Sequence, residues 1–408
     1  MRIGVNCFLL QPNIGGIKQY FLTLFRNLLE KDTENQYVFF WYEHNAGELA
    51  NLGTERWKEG AVLLADQREV LSHLDKIDLY FCPLSALYPR PLPKPSVVSL
   101  PDIQEVFYPE FFTKEDLFDR DLHFPESTRM ADRVLTLSEF SKQTMVENHG
   151  LPPEKVIVAT ISVDRRFQRS GEIARPPAGP LPEDFVFYPA NFWKHKNHDG
   201  LLRALKILKE ERDLVVNVVL TGFPDANGYP VEAKAVEYGV RGQVTRLGYV
   251  EVEEIAYLYR RARMLVFPSL FEGFGIPLLE AMTAGCPIAA ADATSVPEVT
   301  GDAAVLFDPT SPASMADAIQ RVWCEAGLRE RLVAKGRVRA GEFSADRQLR
   351  AHLRAFSEAA HAYEYRDFLW KRWVYGPCRR TLLGLRWPGR RDPALLGFLR
   401  FPSRSRPA

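Results

Sequence analysis

Two glutamates eight residues apart frame a glycine turn in the stretch 267–299, FPSLFEGFGIPLLEAMTAGCPIAAADATSVPEV. Glu272 precedes Gly273, Phe274 and Gly275, and Glu280 falls about one turn into the segment that follows. Two glycines around one aromatic let backbone come close to a ligand. Pro277 suits the first position of a helix, where a missing N–H costs nothing. Leu278, Leu279, Ala281, Met282 and Ala284 make that helix apolar, and Gly285 with Pro287 stops it. Leu265 to Phe267, closed by Pro268, reads as a strand end, and Cys286 to Ala291 as the next buried strand. Strand, glycine turn and helix together aim backbone N–H groups and the positive helix end at an anion, typically a phosphate. Two carboxylates would weaken a pure phosphate site. They do suit sugar and ribose hydroxyls, which offer donors in pairs. The pattern points to a ligand with both phosphates and sugars. Read locally, Glu280 could still be only a favourable first-turn acid and Glu272 a loop acid.

Other stretches repeat the anion-binding pattern. Arg2 to Leu10 predicts a strand, Gly15 and Gly16 a turn, and Lys18 to Leu29 an amphipathic helix. Alone, such a Gly-Gly pair could be a plain tight turn. Phe185 to Pro189 predicts a strand and Asp199 to Leu208 a helix, with Lys194, His195 and Lys196 just before the helix. Cations at that place suit a phosphate, although a solvated loop would look the same. Val215 to Leu220 predicts a strand leading to Thr221-Gly222, Val244 to Val250 another strand, and Glu253 to Arg261 a helix. Tyr37 to Tyr42, Asp78 to Cys82 and Ser96 to Leu100 are further strands, the last ending at Pro101-Asp102. Ser138 is placed to cap a helix after the strand around Val134.

A chain of 408 residues can hold two domains with a core each. Its 52 basic and 52 acidic residues balance, which gives no global argument for nucleic acid. Five scattered cysteines with no C-x-x-C pair argue against a disulfide framework or a zinc site. The start, MRIGVNCFLLQP, does not resemble a signal peptide, and no run has the ~18–20 apolar residues that span a bilayer.

The E-x7-E spacing within EGFGIPLLEAMTAGCP closely resembles the retaining glycosyltransferases of family 4 (glycosyl transferases group 1), over roughly residues 1–360. The resemblance implies the α/β GT-B fold: two Rossmann-like doubly wound domains facing across a cleft. It divides the chain into an acceptor-side domain (1–169), a linker (170–184) and a nucleotide-sugar domain (185–345). A helix crossing back (346–362) and a basic aromatic tail (363–408) follow. It implies a nucleotide-diphosphate sugar as donor substrate, with no cofactor and no metal required. Glu272, Lys196 and Asp102 are the expected catalytic residues. Gly15, Gly16, His195, Lys196, Gly222, Gly273, Phe274, Gly275 and Glu280 are the expected donor-binding residues, with Glu280 on the ribose and Val244 to Val250 bordering the base. The reaction implied is transfer of a hexose to a saccharide or lipid-linked saccharide in cell-surface glycan synthesis. Segments resembling one subgroup, such as Phe107 to Phe112, favour mannose from GDP-mannose.

Two positions depart from the family pattern. Pro101 stands where the family has a histidine near the reacting sugar. His195 stands where the family has an arginine, which predicts a weaker or pH-dependent charge that Lys194 could supplement. Pro101 motivates an alternative: a catalytically silent homologue that binds sugar or nucleotide, or serves as a partner subunit. A dinucleotide-dependent oxidoreductase is disfavoured because no G-x-G-x-x-G follows the first strand. Asp119-Arg120-Asp121 matches D-x-D, but its helical spacing predicts a solvated face, and His123 reads as a solvated or core histidine. The tail mixes Trp370, Trp373, Trp387, Phe398 and Phe401 with Arg372, Arg379, Arg380, Arg386, Arg390, Arg391 and Arg400. That composition suits peripheral contact with an anionic membrane, nucleic acid in isolation, or a loosely packed extension. With a balanced charge overall, the expectation is no nucleic acid and a cytoplasmic protein, peripheral at the inner membrane face.

Overall fold

The computed structural model describes residues 1–12, 15–223 and 229–375. Seven parallel strands build the first sheet: β1 (Arg2–Asn6), β2 (Gln36–Trp41), β3 (Val62–Leu63), β4 (Leu79–Cys82), β5 (Ser96–Ser99), β6 (Arg133–Thr136) and β7 (Val156–Val158). Their order is β3-β2-β1-β4-β5-β6-β7. Six parallel strands build the second: β8 (Val186–Pro189), β9 (Val218–Thr221), β10 (Val244–Gly248), β11 (Met264–Phe267), β12 (Ile288–Ala291) and β13 (Ala304–Phe307), in the order β10-β9-β8-β11-β12-β13. Helices cover both faces of each sheet. All four residues of β4, β5, β9, β11 and β12 are therefore buried, as parallel strands require.

The strand order reverses beside β1 in one sheet and beside β8 in the other. Ligands of open parallel sheets bind beyond the carboxyl ends of the strands at such points. Several helices start there: α1 (Gly16–Lys31) after β1, α2 (Lys114–Met130), α3 (Glu139–His149) after β6, α4 (His198–Arg212) after β8 and α5 (Ile276–Ala284) after β11. Glycine at position 15 supplies the positive φ of 59° from which α1 starts.

The helix α6 (Ala345–Ala362) returns to the first sheet. Phe356 meets Phe81 edge-on at 5.1 Å, and Phe81 meets Phe25 of α1 at 6.2 Å. A buried polar link joins the same elements. The Tyr20 hydroxyl lies 2.8 Å from Ser99 Oγ and 2.8 Å from His352 Nε2. His352 Nδ1 lies 2.8 Å from the Gln348 carbonyl, which can only accept. Nδ1 therefore carries the proton, Nε2 accepts from Tyr20, and Tyr20 accepts from Ser99. Burial pushes the His352 pKa down to about 4, which keeps this arrangement neutral.

Several element bounds differ from those read in the sequence. β1 ends at Asn6, because Leu10 turns back to donate to the Cys7 carbonyl. α1 and α4 run longer than their apolar stripes, to Lys31 and Arg212, since basic residues, Lys31 exposed and Arg212 half-buried, continue each last turn. Within 170–184, Ser170–Ile173 is a short helix, although the composition predicts none. The segment 364–375 is not loose throughout: α7 (Tyr365–Trp370) buries Phe368, and Lys371 beyond it donates to the Met130 carbonyl of the first domain. Arg379, Arg380, Arg386, Trp387, Arg390, Arg391, Phe398, Arg400 and Phe401 lie outside the described residues. Among the described residues no helix is long and apolar enough to cross a membrane.

Candidate active site

The carboxyl ends of the two sheets enclose a cleft of about 510 Å³. Gly15, Gly16 and Asp102 line it from the first domain. His195, Lys196, Gly222, Glu272, Gly273, Phe274, Gly275 and Glu280 line it from the second. Residues up to 265 positions apart in sequence thus share one cavity. Five strand ends, those of β1, β5, β8, β9 and β11, bring them there.

The centre is an ion pair. Lys196 Nζ lies 2.5 Å from Glu272 Oε1, with both side chains largely buried. Each partner is held by its own backbone. Asn197, at φ 57°, donates its amide to the Pro268 and Pro309 carbonyls at 3.0 and 2.8 Å, and its Oδ1 caps α4 through Gly200 N. Leu270 N donates to the His195 carbonyl at 2.8 Å. These bonds tie the basic loop to the end of β11. Glu272 N donates to Thr294 Oγ1 at 3.1 Å, and Ser295 Oγ donates to the Glu272 carbonyl at 2.9 Å. Thr294 holds φ at 55°, an uncommon value for a β-branched residue that costs roughly 1–3 kcal/mol. Strain of this kind persists where a site depends on it.

The glycines have separate reasons. At Gly222, φ is 137°, and a Cβ would stand 2.5 Å from the Ala190 carbonyl oxygen. Gly275, at φ 96°, starts α5. Gly273 lies where the domains approach closely: a Cβ there would stand 2.6 Å from Asp102 Oδ2 and 2.9 Å from the Pro101 carbonyl. Its own carbonyl accepts from Ser138 and Ser141 hydroxyls of the first domain at 2.8 and 3.3 Å. A second bridge crosses beside it. Glu298 accepts from Glu139 N at 2.8 Å and Phe140 N at 3.1 Å, the free N–H groups at the start of α3.

Burial tunes the carboxylates. It raises the Asp102 carboxyl above its ordinary value, against the pull of Arg120 and a bond from Gln104 N at 3.1 Å. It pushes Glu280 up to about 7, although the Tyr259 hydroxyl donates to Oε2 at 2.9 Å and opposes the rise. The unfolded chain releases the Glu280 proton near 4.5, so the folded state holds an extra proton between about 4.5 and 7. That stabilisation is full below about 4.5 and lost as pH rises through about 7. Glu280→Gln has nothing to ionise. Its melting temperature relative to the parent is therefore expected to rise from pH 5 to pH 8, read by thermal melts of both at each pH. A gap that stays flat with pH would remove the shift at Glu280.

Three readings from the sequence need correction. His195 is not a pH-dependent cation near neutrality. Burial, then Lys196, then Arg120, lower its pKa to about 2, so the imidazole is neutral. Lys194 does not supplement it, being exposed and outside the cleft lining. Asp119, Arg120 and Asp121 do not form a solvated face. All three are half-buried, and Arg120 lines the cleft. Arg120 is seated between Phe112 and Phe124, at 4.5 and 5.1 Å, and pairs with Glu105 at 3.1 Å. Arg120 therefore brings a cation to the cleft from the opposite domain, where Lys18 also lines it. His123 is a core residue, with Nδ1 2.8 Å from an Arg90 nitrogen. Tyr249, within the stretch 244–250 expected to border the base, stacks at 4.8 Å on Phe223, which no reading of the sequence singled out, and both line the second-domain wall. Arg120 and Phe124 are four apart on one helix, but that spacing does not tell that the helix faces the cleft. Among the described residues, no group of three or more His, Cys, Asp or Glu is disposed to hold a metal.

Comparison with known proteins agrees with this geometry. Residues 171–339 match the family described as glycosyl transferases group 1. O-antigen chain mannosyltransferase B of Escherichia coli is 31% identical over 263 residues, covering 61% of this chain and 66% of that protein. The MMP alpha-(1->4)-mannosyltransferase of Mycolicibacterium hassiacum is 29% identical over 237 residues, 57% of this chain and 56% of that protein. The matched stretches thus span about two thirds or less of these relatives' own lengths. In fold, the chain is similar to Anabaena Alr3699/HepE in complex with UDP and glucose, with TM-score 0.66, 15% identity, and 88% and 99% of the two chains covered. WaaG, a glycosyltransferase involved in lipopolysaccharide biosynthesis, is similar with TM-score 0.63 and 15% identity, over 86% and 99% of the two chains. The paired parallel sheets, the cleft between them and these matches lead to one conclusion: the chain belongs to the glycosyl transferases group 1 and has the GT-B fold.

Proposed function

We propose that this protein is a retaining glycosyltransferase that moves a hexose, with mannose favoured, from a nucleotide-diphosphate sugar to a saccharide acceptor in glycan synthesis. The observation that carries the reading is the Lys196–Glu272 pair set at a glycine turn and helix start, with Glu280 about one turn beyond and Gly15-Gly16 opposite. As the glycosidic bond breaks, the leaving diphosphate gains negative charge. Lys196 and the N-terminal end of α5 stand ready to stabilise it without reorganising. Phosphate oxygens would then share or replace Glu272 as partner of Lys196, freeing the Glu272 carboxylate toward the donor sugar. Glu280, with one oxygen held by Tyr259, presents the other to ribose hydroxyls. Asp102 faces the same space from the acceptor side. Closure through Gly273 and Glu298 would exclude water and limit donor hydrolysis.

The names of the relatives favour mannose, and a lipid-linked saccharide is the proposed form of the acceptor. A silent homologue remains the second reading, motivated by Pro101 and by the neutral His195. A thermal-shift screen against GDP, UDP, ADP and their sugar conjugates tests both. A ligand present at 100 times its Kd raises stability by about 2.7 kcal/mol. A shift with guanine nucleotides, followed by turnover of GDP-mannose with a glycan acceptor, is the expected result. Binding without turnover on any acceptor would favour the silent reading, and no shift with any nucleotide would sink the donor site.

A further inference from the structure

We infer that the face formed by residues 365–374 docks on an anionic lipid bilayer. In this segment Phe368 is buried and Lys371 is tied down. Lys371 donates to the Met130 carbonyl at 2.9 Å and pairs with Asp367 at 2.5 Å and Asp132 at 3.7 Å. These two residues fix which side faces the first domain. The opposite side carries Tyr365, Leu369 and Trp373 at i, i+4 and i+8, flanked by Trp370 and Val374. All five are exposed, Trp373 at 69% and Tyr365 at 59%. One ten-residue segment therefore holds five of the large exposed apolar side chains of the described chain, and such a contiguous patch marks an interaction surface. Trp and Tyr beside Arg366 and Arg372 suit the headgroup level of a bilayer, where amphipathic rings and cations share one plane.

Charge selects the occupant. Residues 365–408 contain eleven Lys and Arg against two Asp, a net charge of +9. The whole chain sums to zero, so residues 1–364 carry −9. All of the excess positive charge therefore gathers in the segment that begins with this face. A phosphate backbone would also attract the charge, but it gives no reason for five exposed apolar side chains on the structured part. An anionic bilayer uses both. The face lies beside Met130 and Asp132, before β6 begins, whereas the cleft lies beyond the end of β6. A docked molecule thus holds its cleft at the far end of the first domain from the lipid. If the transferase reading holds, that suits an acceptor sugar extending well away from its lipid anchor.

The test is co-sedimentation of the full chain with vesicles of phosphatidylcholine alone or with 30% phosphatidylglycerol, at 0.1 M and 1 M NaCl. It reads docking without turnover, so its outcome is independent of the transferase reading. We expect binding to the anionic vesicles only, weakened at least tenfold at 1 M NaCl. Trp373→Ser with Tyr365→Ser should weaken it at least tenfold at 0.1 M NaCl, with the thermal melt unchanged. Equal binding by the double variant would overturn the role of this face. So would dimerisation in solution that the double variant abolishes, which would assign the face to a second copy. Failure to bind anionic vesicles while a DNA or RNA oligomer binds through the same residues would overturn the lipid assignment.

Discussion

Lys196→Ala is expected to lower kcat/KM for transfer by about 10²–10³-fold, the loss typical of removing one preorganised donor to a developing charge. Glu272→Ala should cost at least as much, and the double variant far less than the product of the two. The reason is their contact. At 2.5 Å in a largely buried setting the two charges compensate one another, so each single change leaves an uncompensated charge beside Asp102. Removing Lys196 leaves Glu272 and Asp102 to repel one another across the cleft and to repel the donor diphosphate. Removing Glu272 leaves Lys196 with the leaving group, but nothing beside the reacting sugar. The double variant loses both functions once and restores the charge balance. Initial rates for the four proteins give the coupling. Arg120 will not rescue either single variant, because Glu105 and two aromatic rings hold it in place. Single variants within threefold of the parent would remove the pair from the chemistry.

Gly273→Ala should cost at least 100-fold in kcat while barely changing the melting temperature. Gly273 does not hold a left-handed φ, so alanine adopts its backbone without local strain. Its Cβ would meet Asp102 Oδ2 at 2.6 Å and the Pro101 carbonyl at 2.9 Å, both across the domain boundary. Overpacking inside a core costs about 1–3 kcal/mol because neighbours cannot leave. Here they can, by separation of the domains. That separation breaks the bonds from Ser138 and Ser141 to the Gly273 carbonyl and draws Glu298 away from the start of α3. Small-angle scattering should report a larger radius of gyration, with nucleotide binding to the second domain retained. Glu298→Ala should open the cleft in the same direction but less, since only one bridge is lost. Gly275→Ala is a control of a different kind: φ of 96° makes it strained in any domain arrangement. If Gly273→Ala melted far below the parent, the glycine would be needed for folding rather than closure.

The second-domain half of the cleft was legible in the sequence because its parts are local. A glycine turn between a strand and a helix has one geometry, and helix starts attract anions wherever they occur. Glu272, Gly273, Gly275 and Glu280 lie within nine residues, so their spacing carried most of the site. The two parallel sheets were expected through the family resemblance carried by this stretch, and each of their strands lies hidden under helices on both faces. Tertiary structure alone decided the rest. Nothing local reveals that a D-x-D look-alike brings a cation to the cleft, because Arg120 acts across a domain boundary. Nothing local reveals that His195 is neutral, because desolvation, the main cause, and the nearness of Arg120 exist only once the chain is folded. The roles of Gly273 and Glu298 in joining the domains belong to the same class. The sequence specifies which groups gather at the strand ends through short-range geometry, whereas their charge states arise from burial and the closing of the cleft from contacts between residues more than a hundred positions apart.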